Sequence, residues 1–127
     1  MGNTHALVIE DDSNSVQVIS MLLKQQGLSC TAFHNPQDVV NSIDNIDPFD
    51  VVFLDLEMPQ YDGYEMFEFL RGNGVGQPII ACTVHTNEME TAREIGFDGF
   101  VSKPLDPLRF TDQISRIMSG QPVWDGE

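Results

Sequence analysis

The sequence predicts an α/β domain, a five-stranded parallel sheet of order 2-1-3-4-5 doubly wound by five helices. Short apolar runs of strand length alternate with segments of helical period, the pattern of β-α units in a parallel sheet covered on both faces. Right-handed crossovers leave few ways to connect five such units, and 2-1-3-4-5 is the simplest of them. Length sets the limit: 127 residues form one domain, able to bury roughly two thirds of the surface its unfolded chain exposes.

The strands are expected near residues 5–10, 29–33, 50–55, 78–83 and 99–102. The first helix spans Ser13 to Gln26, with Val16, Ile19, Leu22 and Leu23 on one face and Gly27 as a left-handed stop. Asn35-Pro36 and Asp106-Pro107 each place a capping side chain before a proline at the first helical position, and they open the second and fifth helices. Asp62 or Gly63 starts the third helix, Asn87 with Glu90 three residues later starts the fourth, and Gly96 ends it. The core covers about residues 5–119, and the tail 120–127 is too short for an output domain. Trp124, the only tryptophan, is expected to pack against the end of the sheet or of a helix, with a partner epitope as the alternative.

The net charge of -14 repels phosphate backbones, so direct nucleic-acid binding is not expected, while divalent cations and basic protein surfaces are attracted. No apolar stretch approaches the roughly 18 residues of a membrane span, and Met1 to His5 lack a basic flank followed by an apolar core. A soluble, cytoplasmic protein without membrane attachment is expected. Cys30 and Cys82 fall in strand runs without metal-ligand spacing and read as small core residues.

The strand ends carry the chemistry. Leu7-Val8-Ile9 runs into Glu10-Asp11, Val51-Val52-Phe53-Leu54 into Asp55, and Ile79-Ile80-Ala81-Cys82 into Thr83, while Gly99-Phe100-Val101-Ser102 is followed by Lys103-Pro104. In an open parallel sheet the ligand site lies outside the carboxyl ends of the strands, so these side chains are expected at one mouth. Two like charges about 4 Å apart repel by roughly 4 kcal/mol at protein-surface dielectric, so Glu10, Asp11 and Asp55 would strain an empty mouth. A hard divalent ion such as magnesium removes that strain. Each residue alone has an ordinary explanation: a solvated acid run with a capping role at 10–12, a plain strand exit at Asp55, a surface Thr83 and a surface Lys103. Their coincidence at strand ends argues for function.

From Ala6 to Met118 these positions, in order and context, resemble the receiver domains of two-component response regulators, which have the flavodoxin-like fold. The resemblance implies that Asp55 is the phosphoacceptor. It implies Mg2+, or Mn2+, on Asp11, Asp55 and the backbone carbonyl of Glu57, with Glu10 acting through water. Lys103 and the Thr83 hydroxyl would neutralise charge on the moving phosphoryl group, and Lys103-Pro104 would be cis, an isomer that costs an X-Pro bond only about 0.5–1 kcal/mol relative to trans. Thr83 and Phe100 would act as the switch, read out on the fourth helix, fifth strand and fifth helix; Phe100 could instead be a fixed core aromatic. The implied partners are a sensor histidine kinase or histidine phosphotransfer protein as donor and a separate downstream effector protein, with the receiver a monomer or a phosphorylation-linked dimer. It would be a signalling phosphoacceptor that assists its own phosphorylation and dephosphorylation, rather than an enzyme.

Val84 departs from the family, which favours a small residue there, and its branched side chain is expected to slow exchange of phosphate with water and small donors. Glu57 and His85 flank the same opening and are expected to tune the lifetime. An aspartate-nucleophile phosphatase of the haloacid-dehalogenase type is the main rival, but it normally has aspartate where Glu57 stands and a cap domain for which there is no room. A flavodoxin-like cofactor binder lacks support because no glycine-rich loop follows the first strand. A pseudo-receiver that only binds proteins is disfavoured because no pocket residue is missing.

Overall fold

A computed structural model describes residues 4–58 and 61–124. In chain order the elements are β1 (His5–Ile9), α1 (Ser13–Gln25), β2 (Ser29–Phe33), α2 (Pro36–Ser42), β3 (Val51–Asp55), β4 (Glu57–Met58), β5 (Tyr61–Asp62), α3 (Gly63–Gly72), β6 (Ile79–Thr83), α4 (Met89–Ile95), β7 (Gly99–Ser102), α5 (Pro107–Met118) and β8 (Val123–Trp124). The main sheet has the order β2-β1-β3-β6-β7-β8 and is parallel throughout. Its first five strands are those expected, in the expected order.

Strand alternation sorts the apolar residues into two layers. Ala6, Val8, Val51, Phe53, Ile80, Cys82 and Val101 pack with Ile19, Leu22 and Leu23 of α1 and with Phe110, Ile114 and Ile117 of α5. The intervening residues Leu7, Ile9, Val52, Leu54, Ile79, Ala81 and Phe100 face α2, α3 and α4 through Val39, Met66, Phe67, Leu70, Met89 and Ala92. Every residue of β3 and of β6 is buried, which is why these strands read as unbroken apolar runs.

The helix starts follow the local chemistry. Side chains of Asp12, Asn35, Asp62 and Asp106 accept backbone N–H groups at the starts of α1, α2, α3 and α5, each contact worth about 1 kcal/mol. Gly27 (φ 85°) and Gly96 (φ 117°) supply the left-handed residues after α1 and α4. The buried face of α1 is Val16, Ile19, Leu22 and Leu23, as expected.

Four details differ from expectation. The sheet has a sixth strand: the tail turns back through Gly120 (φ 81°), and Val123–Trp124 pairs with Gly99–Phe100. Two residues carry no periodicity, so nothing in the sequence signalled it. Asn87 does not cap α4; Thr86–Glu88 form a 3-10 turn, and the helix begins at Met89 after Glu88, whose carboxylate is held by the Tyr64 hydroxyl. Cys30 is partly exposed, its thiol 3.2 Å from the Ser20 hydroxyl, whereas Cys82 is buried as expected. β4 and β5 form a separate antiparallel ribbon after the exit of β3. Among the described residues no helix is long and apolar enough to cross a membrane.

Candidate functional site

The parallel register brings four strand ends together. Ile9 lies beside Leu54, Asp55 beside Cys82, and Thr83 beside Ser102. Glu10 and Asp11 therefore leave β1 next to Asp55 at the end of β3, and Lys103 leaves β7 next to Thr83. Carboxylate oxygens of Glu10, Asp11 and Asp55 all lie within 4.8 Å of one another. Glu10 is 4% and Asp55 5% exposed, so two carboxylates sit where water is scarce.

Lys103 is the cation among them. Its Nζ donates to a Glu10 carboxylate oxygen and lies 3.7 Å from Asp55 Oδ1. The same Oδ1 accepts the Glu57 N–H at 3.0 Å, and Glu10 Oε1 accepts the Asp12 N–H at 3.2 Å. The Lys103-Pro104 peptide is cis. Among the described residues, the three carboxylates beside the Lys103 ammonium leave excess negative charge, and an all-oxygen donor set suits Mg2+ or Mn2+ rather than a softer ion. The residues thus fit the ion expected from the sequence.

Burial, with Glu10 adding to it, pushes the Asp55 carboxyl up to about 7 against the opposing pull of the Glu57 N–H and Lys103. Lys103 is raised: burial works against its charge, but the Glu10 hydrogen bond and the nearby Asp55 outweigh it. Burial also pushes the thiol of Cys82, the register partner of Asp55 on β6, up to about 12.

A pH dependence follows. Asp55 keeps its proton up to about 7 in the fold but loses it near 3.8 unfolded. Between those values the native state binds more protons, so stability falls as pH rises through that window and stays lower above it. Without metal, Asp55→Asn is expected to stabilise the protein at pH 8 by about 1–2 kcal/mol, a figure reduced for solvent at the mouth, and to do little at pH 4. Thermal melts at both pH values, with EDTA and with magnesium, check this; magnesium should narrow the gap between wild type and variant at pH 8.

The other side of the mouth is a hydrogen-bonded ring. The Thr83 hydroxyl donates to Glu57 Oε1 at 2.8 Å and accepts the His85 N–H at 3.1 Å, while His85 Nε2 lies 2.9 Å from Glu57 Oε2. Glu57 and His85 are half-exposed, Val84 between the ring members is 59% exposed, and Phe100 is completely buried. A cavity of about 360 Å3 extends from Asp55 and Lys103 toward α1, walled by Val18, Ile19, Phe53 and Leu105.

Every residue the sequence nominated for the mouth is found there. What it did not reveal is the side-chain role of Glu57, which occupies the Thr83 hydroxyl, and the role of Gly63. A Cβ on Gly63 would lie 2.5 Å from Leu56 Cα and 3.0 Å from the Asp55 carbonyl oxygen, so α3 approaches the β3 exit backbone to backbone. The signal was a glycine at a helix start eight residues after Asp55, and it reads equally as a turn residue.

The family model described as response regulator receiver domain matches residues 6–115. Response regulator SaeR of Staphylococcus aureus is 25% identical over 118 residues, covering 91% of this chain and 51% of the relative. The chain thus spans about half the length of the curated relatives it matches. Among solved structures, response regulator DrrB, a Thermotoga maritima OmpR/PhoB homolog, superposes with a TM-score of 0.78 at 26% identity over 93% of this chain and 54% of that one. The chemotaxis protein CheY4 of Vibrio cholerae, with a TM-score of 0.78 at 20% identity over 91% and 99% of the two chains, shares the fold. With 110 consecutive residues matched and the acidic mouth formed by the same segment, this chain belongs to the response regulator receiver domain family.

Proposed function

We propose that the chain is a phosphoacceptor switch of a two-component system or phosphorelay, taking a phosphoryl group from phosphohistidine onto Asp55. The observation that carries this reading is the placement of Asp55 between the Lys103 ammonium and a carboxylate cluster able to hold a divalent ion. An Asp55 carboxylate oxygen attacks phosphorus, the P–N bond to the donor imidazole breaks, and an acyl phosphate forms. Lys103 stands ready to pair with the transferred oxygens, and the Thr83 hydroxyl supplies a further donor once it leaves Glu57. Magnesium or manganese on Asp11, Asp55 and the Glu57 carbonyl, with Glu10 through water, supplies further charge neutralisation when bound.

The donor is a sensor histidine kinase or histidine phosphotransfer protein, and the output goes to a downstream effector through Thr83, Phe100 and the α4-β7-α5 face. Asp55 is phosphorylated and dephosphorylated in place, a switch in the cytoplasm rather than a multiple-turnover phosphatase. Val84 narrows the approach to Asp55, so Val84→Ala is expected to shorten the acyl phosphate lifetime several-fold, read by intact mass against time.

The reading itself is tested by incubation with magnesium and acetyl phosphate followed by intact-mass measurement. Wild type is expected to gain one phosphate and Asp55→Asn none. Phosphate on both proteins, or steady release from a phosphate ester with Asp55 regenerated many times, overturns it.

A further inference from the structure

The edge of β7 is occupied by the chain's own tail. β8 runs parallel to β7, with Val123 opposite Gly99 and Trp124 opposite Phe100. Gly99 permits this approach, because a Cβ there would lie 2.9 Å from the Val123 carbonyl oxygen. Val123 is 5% exposed and joins the layer that contains Phe110, Ile114 and Ile117 of α5. Trp124 packs on the other layer, against the cluster that contains Phe100 and Ala92, and the Arg93 guanidinium of α4 lies over its ring at 4.5 Å. A two-residue strand gains little from backbone pairing, so these side-chain contacts set how firmly the tail docks.

β7 also leads to the acidic mouth. Ser102 is the register partner of Thr83, Lys103 follows it, and Phe100 is two residues back, fully buried and sharing Trp124's layer. Displacing Phe100 toward Thr83 would therefore withdraw packing from Trp124.

We infer that β8 is a resident intramolecular ligand of the β7 edge, and that its docking is coupled to occupancy of the Asp55 site through Phe100. The inference rests on the reading of Asp55 as phosphoacceptor. The docked tail holds Phe100 in the arrangement seen with the Thr83 hydroxyl on Glu57. Coupling between two sites is reciprocal: what weakens tail docking on phosphorylation must make the docked tail oppose phosphorylation. Once released, β7 presents unpaired N–H and C=O groups, the open space over Gly99 and an aromatic seat beneath Arg93. That surface takes an extended peptide with an aromatic residue, bound as an added strand.

Trp124 is the only tryptophan, so its emission reports the tail in the unmodified protein. Titration of wild type with beryllium fluoride and magnesium is expected to change the emission saturably, and Asp55→Asn is expected to abolish the change. Calorimetric titration of Trp124→Ala is expected to give about five-fold or greater tightening for the same phosphate mimic. A tail of purely structural value would leave that affinity unchanged or weaken it. Failure of wild type to gain phosphate from acetyl phosphate would remove the Asp55 reading. A wild type that gains phosphate while its emission stays flat, or while Trp124→Ala binds the mimic no more tightly, overturns the tail inference alone.

Discussion

Lys103→Met is expected to lower the rate of Asp55 phosphorylation by acetyl phosphate on the order of 10²- to 10³-fold, the usual loss when one preorganised charge-stabilising donor is removed. Lys103 Nζ lies 3.7 Å from Asp55 Oδ1, so it already stands where charge on a transferring phosphoryl group would develop. Methionine keeps much of the length and the apolar stem while removing the ammonium. A second consequence separates charge from shape. Glu10 is 4% exposed and its carboxylate accepts from Lys103, so the variant leaves a buried acid without its cation. Breaking a buried pair from one side is destabilising, by up to about 3–5 kcal/mol where no water enters, and the open mouth here reduces that. Adding Glu10→Gln should restore part of the stability and none of the phosphorylation. Intact-mass time courses and thermal melts of the two variants read both effects. Phosphorylation of Lys103→Met at near wild-type rate would remove Lys103 from the reaction.

Much of this organisation was legible in the sequence because it rests on local chemistry or on short periods. Val16, Ile19, Leu22 and Leu23 announced the buried face of α1, and Asn35 and Asp106 before prolines marked two helix starts. The runs through β3 and β6 read as strands because both faces of those strands are covered. The mouth was legible because a parallel sheet collects its strand ends on one side, which turns scattered residues such as Asp11, Asp55 and Lys103 into neighbours. Tertiary partners were not legible. The Glu57 contact with Thr83 depends on the ribbon of β4 and β5, the start of α4 depends on Tyr64 reaching Glu88, and β8 depends on Gly99 leaving space. Each joins residues far apart in sequence through a contact that no period or cap encodes.

Gly63→Ala is expected to destabilise the protein by about 3 kcal/mol, lowering the melting temperature by roughly 10 °C. The sign is informative, because at an ordinary helical position alanine is favoured over glycine by about 1 kcal/mol. Here the added methyl meets Leu56 Cα at 2.5 Å and the Asp55 carbonyl oxygen at 3.0 Å, atoms of the main chain that cannot swing aside. The Gly63 N–H also donates to the Leu56 carbonyl at 3.2 Å, and Asp62 caps the same helix start through the Tyr64 N–H. Relief of the clash must move the start of α3 or the exit of β3, and the exit holds Asp55 and the Glu57 N–H that bonds it. Magnesium affinity should fall along with stability. Gly72→Ala provides the contrast: it lies in the same helix with nothing within 4 Å of the added Cβ, and it should leave melting unchanged or raise it slightly. If Gly63→Ala melted as high as Gly72→Ala and bound magnesium as wild type does, the close contact of α3 with the exit of β3 would have no part in shaping the site.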